Sequence, residues 1–132
     1  ATQGNTGAAT SGVVSPQQAL INAAGSDRVF FGYDKYDLSS EARSVLEKQA
    51  AWLKANPSVG IVVEGHCDER GTREYNLALG ERRANSTKNY LVNQGVQSSR
   101  VKTISYGKER PVALGANEAA FAQNRRGVTV VQ

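Results

Sequence analysis

Residues 57–95 read PSVGIVVEGHCDERGTREYNLALGERRANSTKNYLVNQG, and the succession of textures in this stretch decides the architecture. A Pro-containing turn leads into Ile61-Val62-Val63-Glu64, whose near-continuous branched residues predict a strand buried on both faces. Gly65 ends it. The densest polar segment of the chain, His66 to Glu74, comes next. A helix is then predicted from about Tyr75 to Gln94, stopped at Gly95 by a left-handed glycine. Leu77, Gly80, Ala84, Thr87 and Leu91 form its packed stripe.

Working outward, Arg28-Val29-Phe30-Phe31 is an earlier β-prone run that ends in the turn-like Gly32 to Asp37. Leu38-Ser39-Ser40-Glu41 opens a helix, with an N-cap serine and an acid in the first turn. Ala42, Val45, Leu46, Gln49, Trp52 and Leu53 continue it at three-and-four spacing to about Asn56, before Pro57. Downstream, Val101 to Tyr106 reads as a strand, Asn117 to Gln123 as a short helix and Gly127 to Val131 as a last strand. The order β-α-β-α-β-(α)-β predicts an α/β fold, an α+β sandwich in which an open mixed sheet has its helices packed on one face. Strand, helix and strand in succession also predict parallel neighbours joined by a right-handed crossover.

Residues 1–26 are rich in small and polar groups and read as a tether, with a short helix near Pro16 to Ala23 as an option because proline suits a first turn. The folded domain is expected over residues 27–132, a length that supports one core and not two. Apolar residues are 39% of the chain and charged residues 21%, and no apolar run approaches the ~20 residues of a membrane span. Sixteen Lys and Arg against twelve Asp and Glu give a net charge of +4. That charge is dispersed, which favours anionic surfaces without marking a nucleic-acid binder. Cys67 is the single cysteine, so no internal disulfide supports the fold. The opening ATQGNTGAATSG lacks the blocks of a secretory signal, as a cytosolic chain would or one whose signal has been removed.

Ligands of open α/β sheets bind beyond the carboxyl ends of the strands. Two loops qualify, Gly32 to Leu38 and Gly65 to Glu74, and parallel strands would bring them to one rim. The second loop offers the carboxylate of Asp68. On the helix behind it, Asn76 and Arg83 lie two turns apart on one face with Leu79 between them. A carboxylate and a guanidinium facing one pocket complement a zwitterion. By itself, such a pair is more often a structural salt bridge.

The stretch GHCDERGTREYNLALGERRANSTKNYL resembles the signature of the OmpA-like peptidoglycan-binding domain family. DRVFFGYDKYDLSSEAR, ISYGKERP and QNRRGVTV are similar to its peptidoglycan-associated lipoprotein branch. The likeness runs from Asp27 to Val131 and rests on Gly-His-x-Asp, Asn-x-x-Leu and an Arg-Ala fifteen residues after the aspartate, all in register. It implies that Asp68 and Arg83 hold the zwitterionic end of diaminopimelate in the wall's stem peptide. Asn76, Leu79 and the loop Arg70, Gly71 and Thr72 would line the peptide, with Tyr33 and Asp34 from the first loop. It further implies a periplasmic location, an outer-membrane lipid anchor outside these residues, and partnership in the Tol-Pal system with the propeller protein TolB and other Tol proteins. Glu69, Arg70 and Tyr90 are the candidates for the TolB contact. The chain departs from the family at Cys67, where alanine or threonine is usual; a small thiol fits that volume.

Other chemistries fare worse. His66-Cys67-Asp68-Glu69 contains every metal-ligand type, but four consecutive residues lack the spacing that closes a metal shell. No cofactor is implied. A catalytic thiol at Cys67 would lack a partner histidine beyond its own neighbour, and Asp68-Glu69 are poorly disposed to flank a sugar as paired acid and base. Trp52 falls on an apolar stripe and reads as core. Arg82-Arg83 and Arg125-Arg126 have no interleaved aromatics of the kind that stack nucleic-acid bases. Two alternatives stay open: the same wall-binding fold as the tail of a porin or flagellar stator, and a protein-interaction module without a wall ligand.

Overall fold

The computed structural model describes residues 13–132. Its elements in chain order are α1 (Pro16–Ala24), β1 (Arg28–Phe30), α2 (Ser40–Ala55), β2 (Ile61–His66), α3 (Arg73–Asn93), a 3-10 turn, β3 (Val101–Gly107), α4 (Glu118–Asn124) and β4 (Arg126–Val131). The strands form one four-stranded mixed sheet in the order β1-β4-β2-β3. This is the α+β arrangement expected.

Capping fixes the helix starts. The hydroxyls of Ser39 and Thr72 and the carboxamide of Asn117 accept the backbone N–H of Ala42, Tyr75 and Ala120 at the heads of α2, α3 and α4. At the far end of α3, Gly95 takes φ 105, the left-handed conformation predicted from sequence. Leu46, Leu53, Leu91, Ile61 and Val63 are sealed between helices and sheet. A side chain at Gly65 has no room: a Cβ there would sit 1.7 Å from the carbonyl oxygen of Gly80. Helix α3 therefore crosses β2 in backbone contact, and this close approach sets the height of the loop between them.

Two expectations need correction. β1 and β2 are not neighbours, because β4 lies between them and runs antiparallel to both. The crossover through α2 skips one strand position, and the C-terminal strand fills it. β1 and β2 still point the same way, so their carboxyl ends share a rim; β2 and β3 are true parallel neighbours. The tether reading also fails over Pro16–Ala24. This segment is a helix capped by Ser15, with Leu20 fully buried, and the Gln17 side chain bonds the Thr129 carbonyl at 2.9 Å and the Val131 N–H at 2.7 Å. Gln17 completes the backbone bonding of β4, which ties α1 to the domain. Residues 1–12 of the expected tether lie outside the described residues.

Candidate functional site

At the shared rim, the loops after β1 and β2 and the first turns of α3 enclose a cleft of about 60 Å³. Tyr33 and Asp34 line it from the first loop and Asp68, Arg70 and Gly71 from the second, while Asn76, Leu79 and Arg83 come from α3. Eight of the nine residues singled out as ligand-binding thus meet in one place. Thr72 does not line the cleft, since its hydroxyl is engaged in capping α3. Cys67 and Tyr75 complete the lining.

Asp68 is the electrostatic centre. Its carboxylate is 5% exposed and accepts a forked pair from Arg70, Nε at 3.2 Å and Nη2 at 2.9 Å, together with the Arg70 backbone N–H at 3.0 Å. A second guanidinium, that of Arg125, approaches Oδ2 to 3.4 Å. Burial works to raise the pKa of Asp68, but the bonds and charge of Arg70, helped by Arg125, outweigh it and leave the pKa below the usual carboxylate range. Asp68 is therefore a fixed anion.

Arg83 does not pair with Asp68, contrary to the salt-bridge reading of that couple. It is fully buried and donates to three carbonyls: Nε to Lys35 at 2.8 Å, Nη1 to His66 at 2.9 Å and Nη2 to Gly32 at 3.1 Å. Burial lowers its pKa, yet a guanidinium stays protonated in proteins. Arg83 pins both rim loops together while bordering the cleft. It brings a positive charge to the floor with no carboxylate of the described residues in salt-bridge range.

The remaining contacts shape the rim. Asn76 donates to the carbonyls of Arg70 and Thr72, each at 2.9 Å, and closes the loop onto α3. The guanidinium of Arg70 lies between two rings, 4.1 Å from Tyr33 and 4.2 Å from Phe121. The Tyr75 hydroxyl donates to Asp34 across the mouth. Lys108 caps the Gly71 carbonyl at 2.7 Å from the side of β3. Of the candidates for partner contact, Glu69 is exposed beside the cleft, whereas Tyr90 borders a separate groove between α2 and α3 and bonds Glu47 at 2.7 Å.

Sequence reasoning missed Arg125. It bonds the Phe31 carbonyl at 2.8 Å, Glu118 at 2.8 Å and Asp68, joining the start of β4 to both loops. The signal was the antiparallel last strand, whose amino end must fall where β1 and β2 finish. Groups with catalytic chemistry are held in unreactive states. Burial pushes the Cys67 thiol up to about 11, and His66 is buried against Glu64 with its pKa lowered mainly by that burial. Among the described residues, no cluster of three His, Cys, Asp or Glu side chains is disposed to hold a metal, and no helix is long and apolar enough to cross a membrane.

The profile of the OmpA family matches residues 30–125. Two curated relatives are peptidoglycan-associated lipoproteins. That of Rhizobium meliloti is 52% identical over 125 residues, 95% of this chain and 69% of the relative; that of Agrobacterium fabrum is 52% identical over 128 residues, 97% and 70%. The crystal structure of the peptidoglycan-associated lipoprotein from Burkholderia pseudomallei superposes with a TM-score of 0.81 at 42% identity, covering 85% of this chain and 96% of that one. The C-terminal domain of Helicobacter pylori MotB matches at a TM-score of 0.72 and 20% identity over 80% of this chain and 84% of its own, a likeness of fold.

Proposed function

This chain belongs to the OmpA family, and on that premise we propose that it is a non-catalytic domain that binds peptidoglycan by the diaminopimelate end of the stem peptide. The observation that carries the reading is the rim cleft, where a buried carboxylate and two guanidiniums converge with an amide and an apolar side chain, a third guanidinium, that of Arg125, reaching the carboxylate from outside the lining. Diaminopimelate ends in an ammonium and a carboxylate on one carbon, and a site with both signs at close quarters complements it. Asp68 is already neutralised by Arg70 and Arg125, so the incoming ammonium competes with Arg70 for Asp68 while the carboxylate is drawn to the guanidiniums. Affinity then comes from exchanging partners in a preformed network. Binding without turnover is supported by the high pKa of Cys67 and the sequestered imidazole of His66.

The same reading extends to location and partners. The domain sits in the periplasm of a Gram-negative cell, held to the outer membrane by a lipidated N-terminal segment, and acts with TolB. Similarity to the lipoproteins, at about half identity over nearly the whole chain, favours this over a stator or porin tail. Titration calorimetry with two stem tripeptides, one ending in meso-diaminopimelate and one in lysine, tests the site. Lysine keeps the ammonium and lacks the second carboxylate, so the diaminopimelate peptide should bind about tenfold or more tightly, as one charge-assisted contact of roughly 1.5–3 kcal/mol implies. Equal affinity for the two, or none for either, overturns the proposal.

A further inference from the structure

The cleft does not end at Leu79. A second depression of about 90 Å³ is lined by Tyr75, Ala78, Leu79 and Arg82, and it shares Tyr75 and Leu79 with the first. These four residues occupy positions i, i+3, i+4 and i+7 of α3, so they form one stripe along the helix surface. Tyr75 stands at the junction, its ring oriented by the hydroxyl bond to Asp34. Beside the Arg82 end lies Tyr36, its ring centre 5.6 Å from the Arg82 guanidinium. Tyr36 and Tyr75 are 45% and 51% exposed, so both rings are open to a ligand.

Arg82 and Arg83 are sequence neighbours with opposite surroundings. Arg83 is buried and spends its donors on loop carbonyls. Arg82 is exposed, and no ion pair among the described residues involves it. A cation over one tyrosine, at the open end of a groove whose other end binds a charged group, fits an anion carried on the same ligand. The span is informative: seven residues of helix from Tyr75 to Arg82 advance roughly 10 Å at 1.5 Å each, the reach of about three residues of extended peptide at ~3.3–3.6 Å each.

We propose that Tyr36, Tyr75, Leu79 and Arg82 form a second subsite that takes the peptide segment preceding diaminopimelate and pairs Arg82 with its carboxylate. In the stem peptide that residue is a D-glutamate joined through its side chain, which leaves the α-carboxylate free. The subsite rests on the stem-peptide reading of the cleft. It adds to it that the domain reads the acidic residue before diaminopimelate, and hence whether that carboxylate has been amidated.

The experiment uses two synthetic tripeptides, L-Ala-γ-D-Glu-meso-diaminopimelate and its counterpart with the D-glutamate α-carboxylate converted to amide, titrated calorimetrically into wild type, R82Q and Y36L. Wild type should bind the amidated peptide about three- to fivefold more weakly, the size of an exposed charge contact. R82Q should bind the acid form weaker by a similar factor and lose the discrimination, with an unchanged melting temperature because Arg82 is exposed and unpaired. Y36L should weaken both peptides alike. Wild type binding both peptides equally, or R82Q still discriminating, removes the subsite and leaves the diaminopimelate site standing. Failure of wild type to bind either peptide removes both.

Discussion

The guanidinium of Arg83 donates to the carbonyl of His66 at 2.9 Å, tying the last residue of β2 to the middle of α3 while its other nitrogens hold Gly32 and Lys35. Arg83 is thus a structural clamp as well as a wall of the cleft. Arg83→Ala should lower unfolding free energy by about 2–4 kcal/mol, because three loop carbonyls lose their donor, that of His66 in a buried bond, and a fully buried side chain is removed. Arg83→Lys should recover only part of it, since an ammonium cannot span three acceptors in a plane. Urea denaturation of both variants checks this, and a binding defect in either is to be read against the folded fraction.

Acid should act on the site through Asp68. Its pKa is depressed in the folded chain, so its contribution is fully present above the unfolded value near ~3.9 and is lost as pH falls through the folded one. Asp68→Asn should cost about 1–3 kcal/mol at neutral pH, leaving Arg125 with one partner fewer. It should also flatten the decline of stability below about pH 4. Unfolding free energies of both proteins between about pH 2 and 7 measure the difference; parallel curves would contradict it.

Cys67 packs between β2 and α3 with its thiol 3.3 Å from the Asn76 carbonyl. A buried thiol with a pKa of about 11 carries little thiolate near neutrality, so Ellman's reagent at pH 8 should modify the folded protein far more slowly than the urea-unfolded chain. Cys67→Ala should keep peptide affinity within about threefold. A tenfold loss would give the thiol a role in binding.

Wall fragment and TolB should compete. Arg70 holds Asp68 and borders the cleft, and Glu69 is exposed beside it, so a propeller docking on this loop would meet bound peptide. Titration of TolB into the domain with and without saturating stem peptide should show at least a tenfold loss of apparent affinity. An unchanged value would move the partner surface away from this rim, toward the groove that Tyr90 borders.

Much of the site was legible because it is local. Asp68, Asn76, Leu79 and Arg83 lie within one loop and two helical turns, where spacing shows which helix residues share a face; Arg70 and Gly71 came only with the family resemblance. What the spacing did not carry was the partner of each charge. Asp68 and Arg83 face one cleft, yet each is satisfied elsewhere, by Arg70 and Arg125 and by loop carbonyls. Arg125 was invisible for a topological reason: its position follows from β4 lying between β1 and β2, a pairing across about a hundred residues that leaves no periodicity. Helix α1 was undervalued because its attachment depends on Leu20, Ala24 and the amide of Gln17, too little apolar surface to register as composition.

The strand order also governs when the fold can form. β4 carries two of the three ladders of the sheet, to β1 and to β2, and it is the last element of the chain. Until residues 126–131 have been synthesised, β1 has no partner in the sheet, and the loop after it is held through side chains, those of Arg70, Tyr75 and Arg83 among them. The sheet therefore cannot close before residues 126–131 are available, and a chain cut short of them lacks two of its three ladders. For a domain delivered unfolded to the proposed periplasmic location, that dependence on residues 126–131 keeps the polypeptide threadable until they have crossed.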